Sequence, residues 1–338
     1  MLNLDARHYV SPEIFAKERQ SIFARSWQHL GPVSQVNAPH SYLAADIAGL
    51  KLFLIRGSDG VLRGFKNMCR HRGAQLLADG TGTCKAVRCP YHQWLFNERG
   101  ELLSAPWFGD DPPIRVEDWP LEPIHVGEWR GLLFAAVDPE ESLMEQLGDL
   151  PDELADEPIE TYALDRQDKV DFDANWKVYT DNFVEGYHIP GIHPSFHAAI
   201  DFKQFATTAH KGFVRMTCPP REGLFYRGKW LWMWPNWTLS LFEGGMNTSR
   251  INPLAVNRTE QLYNFYFADL SAASKASRDR TIAGNLAVVR EDYEVCVGTH
   301  RNYESGLFTT GPLSSRHERG VHYFQKRVEE ALGIHPRA

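Results

Sequence analysis

Asn67–Leu76 (NMCRHRGAQL) and Cys89–Phe96 (CPYHQWLF) decide how this chain folds. Each segment supplies one thiol and one imidazole: Cys69 with His71, and Cys89 with His92. Residues 72–88 separate the two pairs. Two thiolates on one iron and two imidazoles on the other make a [2Fe–2S] centre of raised potential. A Cys2His2 zinc site uses the same donors. Zinc-finger spacing usually pairs Cys with Cys and His with His, whereas each loop here carries one of each, which favours the iron–sulfur centre. Cys84 lies between the loops but has no histidine beside it, and it is left out of the set.

Working outward, 338 residues suffice for two domains with a buried core. A net charge of -7 argues against nucleic acid as the main partner. No apolar run reaches the roughly 18 residues of a membrane span. The start, MLNLDARHYV, lacks the basic-then-apolar pattern of a secretory signal. Cys84, Cys218 and Cys296 are scattered, which suits a reducing cytoplasm better than a disulfide framework.

Residues 11–28 open with Ser-Pro and carry Ile14, Phe15, Ile22, Phe23 and Trp27, so one helix is predicted there. From about 30 to 138, short runs such as LKLFLI and RGLLFAAV are broken by Gly, Asp and Pro, as in a small β sandwich or barrel. The acidic stretch Leu150 to Pro158 marks a boundary. Beyond it come a helix near 174–188, aromatic-rich strands over 211–269, and helices near 276–300 and 315–332. The expected organisation is α+β: an N-terminal helical segment (1–30), an all-β cluster domain (31–150), and an α+β domain (151–338) with an antiparallel sheet flanked by helices.

Residues 175–197, NWKVYTDNFVEGYHIPGIHPSFH, hold a second site. On a helix, Trp176, Tyr179, Phe183 and Tyr187 form an apolar stripe, and the other face gathers Asp181, Asn182, Glu185 and His188. Glu185, three residues before His188, can hydrogen-bond its imidazole. Pro190 and Gly191 break the helix, so His193 can turn back towards His188. Two imidazoles need one carboxylate to complete a non-haem Fe(II) facial triad. Asp292 is the candidate, because its helical neighbours Val288, Val289, Val295 and Cys296 are all apolar. A carboxylate buried there is costly unless it is paired or binds a metal. An arginine partner is the alternative, but the two histidines favour the ligand role. Glu291 and Glu294 lie off that stripe and read as solvated. His197, four residues after His193, could form a helical pair with it, but that would leave His188 and Asp292 idle. The remaining histidines, His335 among them, lack ligand spacing.

These segments, with VVREDYEVCVGTHR (288–301) and GPLSSRHERGVHYF (311–324), resemble the α subunit of Rieske-type non-haem iron oxygenases over most of the chain. The resemblance implies a Rieske [2Fe–2S] cluster on Cys69, His71, Cys89 and His92. It implies mononuclear Fe(II) on His188, His193 and Asp292. It also implies a head-to-tail trimer, in which a carboxylate before the first iron histidine links that histidine to a cluster histidine of the next subunit. A flavin/iron–sulfur reductase using NAD(P)H would supply two electrons, and O2 would serve to hydroxylate a substrate carbon. In ring-hydroxylating members the linking residue is most often Asp. Glu185 here resembles the branch acting on carnitine, choline and glycine betaine. Gln93 replaces the Gly usual after the second cluster histidine, where a positive φ is tolerated without cost.

Lys229–Trp234 (KWLWMW) alternates, placing Trp230, Trp232 and Trp234 on one face of a strand. Aromatic faces attract quaternary ammonium groups, although ordinary packing against helices explains such a run by itself. Together with Glu185, the run points to a C–H bond beside a cationic nitrogen, and so to N-demethylation or C–N cleavage. An aromatic or aromatic carboxylate substrate is the alternative. A Rieske electron carrier would need neither the second ligand set nor this length.

Overall fold

A computed structural model describes residues 1–221 and 226–334; His335 lies outside them. The chain divides into two compact units, one of residues 24–140 and the other of residues 1–23 together with 141 onward.

In the first unit, seven strands form an antiparallel sheet. Their order is Gln28–Pro32, Leu132–Ala136, Pro123–Trp129, Leu62–Lys66, Leu50–Arg56, Ser41–Ile47 and Gly80–Thr83. A smaller sheet comprises Ala86–Arg88, Leu95–Asn97 and Leu102–Ser104. Phe53, Phe65, Val87, Phe96 and Leu102 share one core with Cys69, Cys89 and Trp94. The two cysteine loops are therefore anchored in packed apolar side chains at their first residue.

In the second unit, seven antiparallel strands run in the order Ala163–Phe172, Arg258–Phe267, Gly245–Ala255, Trp237–Phe242, Tyr226–Met233, Phe213–Thr217 and Ala206–Ala209. This is the antiparallel sheet with helices that the sequence predicts. Four helices matter here: α1 (Pro12–Glu18), α2 (Trp176–Phe183), α3 (Lys275–Glu304) and α4 (Arg319–Leu332). Helix α2 packs against both α3 and α4. Buried residues on α3 recur at Ile282, Asn285, Leu286, Val289, Asp292, Tyr293, Cys296 and His300, a three-and-four spacing that turns one long face inward.

Two expectations need correction. The single helix over 11–28 is a short α-helix capped by Ser11, then a π turn at Arg19–Phe23, and a strand already begins at Gln28. The wider turn coincides with full burial of Ile22 and Phe23. Nor do residues 1–23 stand apart as a segment of their own. Leu4 N–H donates to Gln325 Oε1 at 2.8 Å, and Glu18 accepts from Trp176 Nε1 at 2.9 Å and from Lys177 Nζ at 2.5 Å. The divisions accordingly fall at 23/24 and 140/141, and not at 30 and 150.

Both partners of the Glu18–Lys177 pair are wholly buried. Burial lowers the Lys177 pKa, and the Glu18 charge opposes that shift. Lys177→Met should cost about 3–5 kcal/mol in urea unfolding, because the buried Glu18 loses its ion-pair partner. Glu18→Gln/Lys177→Met together should recover much of that loss; a single variant as stable as the parent would remove the pair from the stability argument.

Candidate metal centres and active site

The two cluster loops have the same construction. Cys69 N–H donates to Ala74 O at 2.8 Å and Gly73 N–H returns to Cys69 O at 3.0 Å. Likewise Cys89 N–H donates to Trp94 O at 2.8 Å and Gln93 N–H returns to Cys89 O at 3.1 Å. Each loop closes on a residue of positive φ, Gly73 at 72° and Gln93 at 60°. Gln93 thus occupies a left-handed conformation that costs a non-glycine residue roughly 1–2 kcal/mol, and the turn forms nonetheless.

The loops bring the thiols together at the buried end and the imidazoles at the half-buried end. Burial, and the neighbouring Cys89 thiol, push the Cys69 pKa up. Such thiols lose their protons to a bound cation. His71 Nδ1 and His92 Nδ1 lie 3.1 Å apart, with His71 stacked on Trp94 at 4.9 Å. Burial, and the second imidazole, lower the His71 pKa, a shift towards the neutral form that can ligate. Two thiols on one side and two converging nitrogens on the other fit a mixed-ligand [2Fe–2S] cluster. Cys84 is half-buried and takes no part; among the described residues all five cysteines are unbridged.

The second site forms where α2 ends. Asn175 caps α2 by accepting from Lys177 N–H at 3.0 Å. The helix was expected to reach about 188 but stops at Phe183. Beyond it, the Glu185 carboxylate accepts from the backbone N–H of Tyr187 and of His188, which satisfies donors a continuing helix would have used. His188 then stands just before the four-residue helix Ile189–Ile192, and His193 follows it. The chain therefore turns before Pro190, not at it.

His188, His193 and Asp292 converge, each offering one ligand atom within 4.8 Å of the others. Asp292 Oδ1 lies 3.0 Å from His193 Nε2 and 3.6 Å from His188 Nε2. These are ligand-to-ligand spacings suited to metal bonds of about 2.0–2.2 Å. The far nitrogens are both held by carboxylates: His188 Nδ1 by Glu185 Oε1 at 2.5 Å, and His193 Nδ1 by Glu291 Oε2 at 2.6 Å. That fixes each Nε2 as the ligating atom. Asn182 Nδ2 donates to Asp292 Oδ1 at 2.7 Å. Burial pulls the His193 pKa down, but Asp292 and Glu291 outweigh it and hold it above the ordinary value. The donor set of two imidazoles and one carboxylate fits a mononuclear non-haem iron.

Glu291 corrects an expectation: its side chain is partly exposed, yet it holds a triad histidine instead of facing only water. The available signal was chemical, since a ligating imidazole needs an acceptor for its other N–H. Glu291→Ala should weaken Fe(II) affinity at least about tenfold, with the cluster spectrum unchanged, while Glu291→Gln keeps an acceptor and most of the affinity. Equal affinity in all three proteins would sink this role.

Asp181 is a second correction. Its carboxylate turns away from the triad, accepting from Tyr9 Oη at 2.5 Å and Gln325 Nε2 at 3.0 Å. Burial, against these hydrogen bonds, pushes its pKa up to about 7. It links the N-terminal segment, α2 and α4 and has no place in the catalytic set.

The triad opens into a cavity walled by Phe196, Phe205, Tyr226 and Trp230, with Ser240, Asn247 and Asn285 among its polar lining. Only the first tryptophan of the run lines it. Trp232 is fully buried against Phe324, at 5.3 Å, and Trp234 lies under the Arg327 guanidinium, at 4.7 Å. All three share a face, but Trp232 and Trp234 lie along the strand beneath α4. His197 packs on Phe202 at 5.5 Å and forms no pair with His193 in the triad.

Comparison with known proteins finds matches for both parts of the chain. Residues 26–118 match the Rieske [2Fe-2S] domain and residues 159–334 the ring hydroxylating alpha subunit (catalytic domain). The carnitine monooxygenase oxygenase subunit of Escherichia coli (strain K12) is 30% identical over 281 residues, 79% of this chain and 75% of that one. The chloroplastic choline monooxygenase of Beta vulgaris is 25% identical over 338 residues, 96% of this chain and 76% of that one. The crystal structure of the quaternary ammonium Rieske monooxygenase CntA with L-carnitine superposes with a TM-score of 0.85 at 27% identity, covering 98% and 95% of the two chains. Two mixed-ligand loops, a two-histidine, one-carboxylate triad and these matches place the chain among the Rieske-type ring-hydroxylating oxygenases, as an α subunit carrying a [2Fe–2S] cluster and a mononuclear iron.

Proposed function

We propose that this chain is a monooxygenase that hydroxylates a carbon attached to the nitrogen of a quaternary ammonium or N-methylated substrate. The observation that carries this is the triad beneath an aromatic wall of Phe196, Phe205, Tyr226 and Trp230. Aromatic faces hold an alkylated ammonium by about 2 kcal/mol once water is excluded. Relatives named for carnitine and choline support the same reading, as does Glu185, which the resemblance associates with that branch.

In this reading the iron supplies O2 activation and the cluster supplies electrons. The protein's own residues do the rest. Glu185 and Glu291 fix the ligand tautomers, Asn182 orients Asp292, and the aromatic wall places the N-methyl carbon. One O2, two electrons and two protons convert the C–H bond to C–OH and release one water. The N–C–OH product then separates into an amine and a carbonyl compound.

The electrons come from an NAD(P)H-dependent flavin/iron–sulfur reductase, and the chain works as a head-to-tail trimer in a reducing, cytoplasmic setting. In that trimer Glu185 bridges His188 to a cluster histidine of a neighbouring copy. The half-buried edges of His71 and His92, with exposed Tyr91, Trp107 and Phe108 on the same unit, suit such a docking surface. The scattered free cysteines suit a reducing compartment, and among the described residues no helix is long and apolar enough to cross a membrane.

A single-turnover experiment tests the activity without the reductase. The chemically reduced holoprotein is mixed with O2 and a panel of quaternary amines and arenes, and the products are quantified. N-dealkylated amine with matching aldehyde is the expected result. Ring-hydroxylated product from the arenes alone would replace this reading with the aromatic one.

A further inference from the structure

The pocket-facing side of the sheet carries a row that the proposed activity does not by itself explain. Trp230 pairs across the strands with Ser240, and Ser240 with Asn247. All three line the cavity. Two strand spacings separate the ends of this row, about 10 Å. At one end is an indole; at the other is an amide that is 2% exposed.

The Asn247 amide has a set direction. Its Nδ2 donates to Asn285 Oδ1 at 3.3 Å, and Asn285 Nδ2 donates in turn to Tyr226 Oη. Asn247 Oδ1 is then left buried and accepts no hydrogen bond from the described residues. A buried acceptor without a donor is costly, so a ligand that brings a donor recovers that cost. A carboxylate cannot: it has no proton to give and meets an oxygen lone pair. Nor, among the described residues, does a cation line the cavity to receive it: the charged lining groups besides the histidines are Glu185 and Asp292.

Building on the quaternary-ammonium reading, we propose that the substrate is a short N-methylated amino alcohol, its ammonium group against Trp230 and its hydroxyl donating to Asn247 Oδ1. Carboxylated betaines are disfavoured. Asn285 sits two turns before Asp292 on the same buried face of α3, about 10 Å along the axis. The hydroxyl-binding end thus lies away from the iron, and a molecule spanning the row presents its N-methyl end to the triad.

The test is anaerobic calorimetric binding to the iron-loaded holoprotein with four probes: choline, its O-methyl ether, γ-butyrobetaine and tetramethylammonium. Choline should bind about tenfold tighter than the ether, which keeps the cation but has no donor. It should also bind more tightly than γ-butyrobetaine. In Asn247→Leu, whose folding is checked by its melting temperature, the choline-to-ether ratio should fall to about one. Equal binding of choline and ether by the parent protein overturns the proposal whether or not the variant folds. Tighter binding of γ-butyrobetaine also overturns it, and would mean that the amide chain runs in the opposite direction, with Asn247 donating; the quaternary-ammonium reading would survive either result. Binding of none of the four, tetramethylammonium included, overturns both.

Discussion

Asp292→Ala is expected to retain the two cluster irons, lose the mononuclear iron and turn over substrate at less than about 1% of the parent rate. Asp292 is the only carboxylate in the triad and reaches both imidazoles through one oxygen, Oδ1. Without it two neutral nitrogens remain, too weak a set to hold Fe(II) against water. Metal quantitation with low-temperature spectroscopy of the reduced protein separates the two iron pools. The variant should remain folded, since the deleted group is a buried charge, although Asn182 loses its acceptor at about 1–3 kcal/mol. Asp292→Asn keeps the shape but not the charge and should lie close to the alanine variant. Full iron occupancy in either variant would remove Asp292 from the ligand set and reinstate its reading as a buried structural carboxylate.

Glu185→Gln should behave in the opposite way, keeping both metals and their spectra while slowing turnover about a hundredfold. Glutamine Oε1 still accepts from His188 Nδ1 and keeps the ligand oriented, although its amide nitrogen cannot accept from the Tyr187 and His188 N–H groups that Oε2 serves in the parent. A carboxylate offers acceptors on both oxygens, whereas the amide must donate from one side. A carboxylate can therefore accept from an iron histidine and a cluster histidine at once, and glutamine cannot. Rapid-mixing measurement of cluster oxidation is the direct readout: the slow step should be electron arrival, with substrate affinity unchanged. Normal turnover in Glu185→Gln would end the bridging assignment. Loss of mononuclear iron would make Glu185 a holder of His188 and nothing more.

Both ligand sets were legible because the information in them is local. Cys69 and His71 sit within one tight loop and Cys89 and His92 within another, so spacing along the chain determines their geometry almost alone. His188 and His193 are likewise separated by a single helical turn. Asp292 is distant in sequence but betrayed itself as a carboxylate on an apolar stripe.

What the chain could not reveal depends on direction, and direction is set by packing. Asp181 and Asn182 are neighbours on α2, yet about 100° per residue sends one to Tyr9 and Gln325 and the other to Asp292. Glu291 lies off the buried stripe of α3 and still reaches His193, because the short helix Ile189–Ile192 carries that histidine across to it. Trp230, Trp232 and Trp234 share a face, but at about 3.3 Å per residue the last stands roughly 13 Å from the first and lies under α4. Asn247 carries no motif; its acceptor gains meaning only from the strand register and from Asn285 on another element. The sequence by itself carried the family and with it the cluster and the mononuclear iron, and it offered donors for both, since donors a few residues apart leave little freedom. Only the tertiary structure decided which polar groups face the substrate, since long-range packing chooses among side chains of the same chemistry.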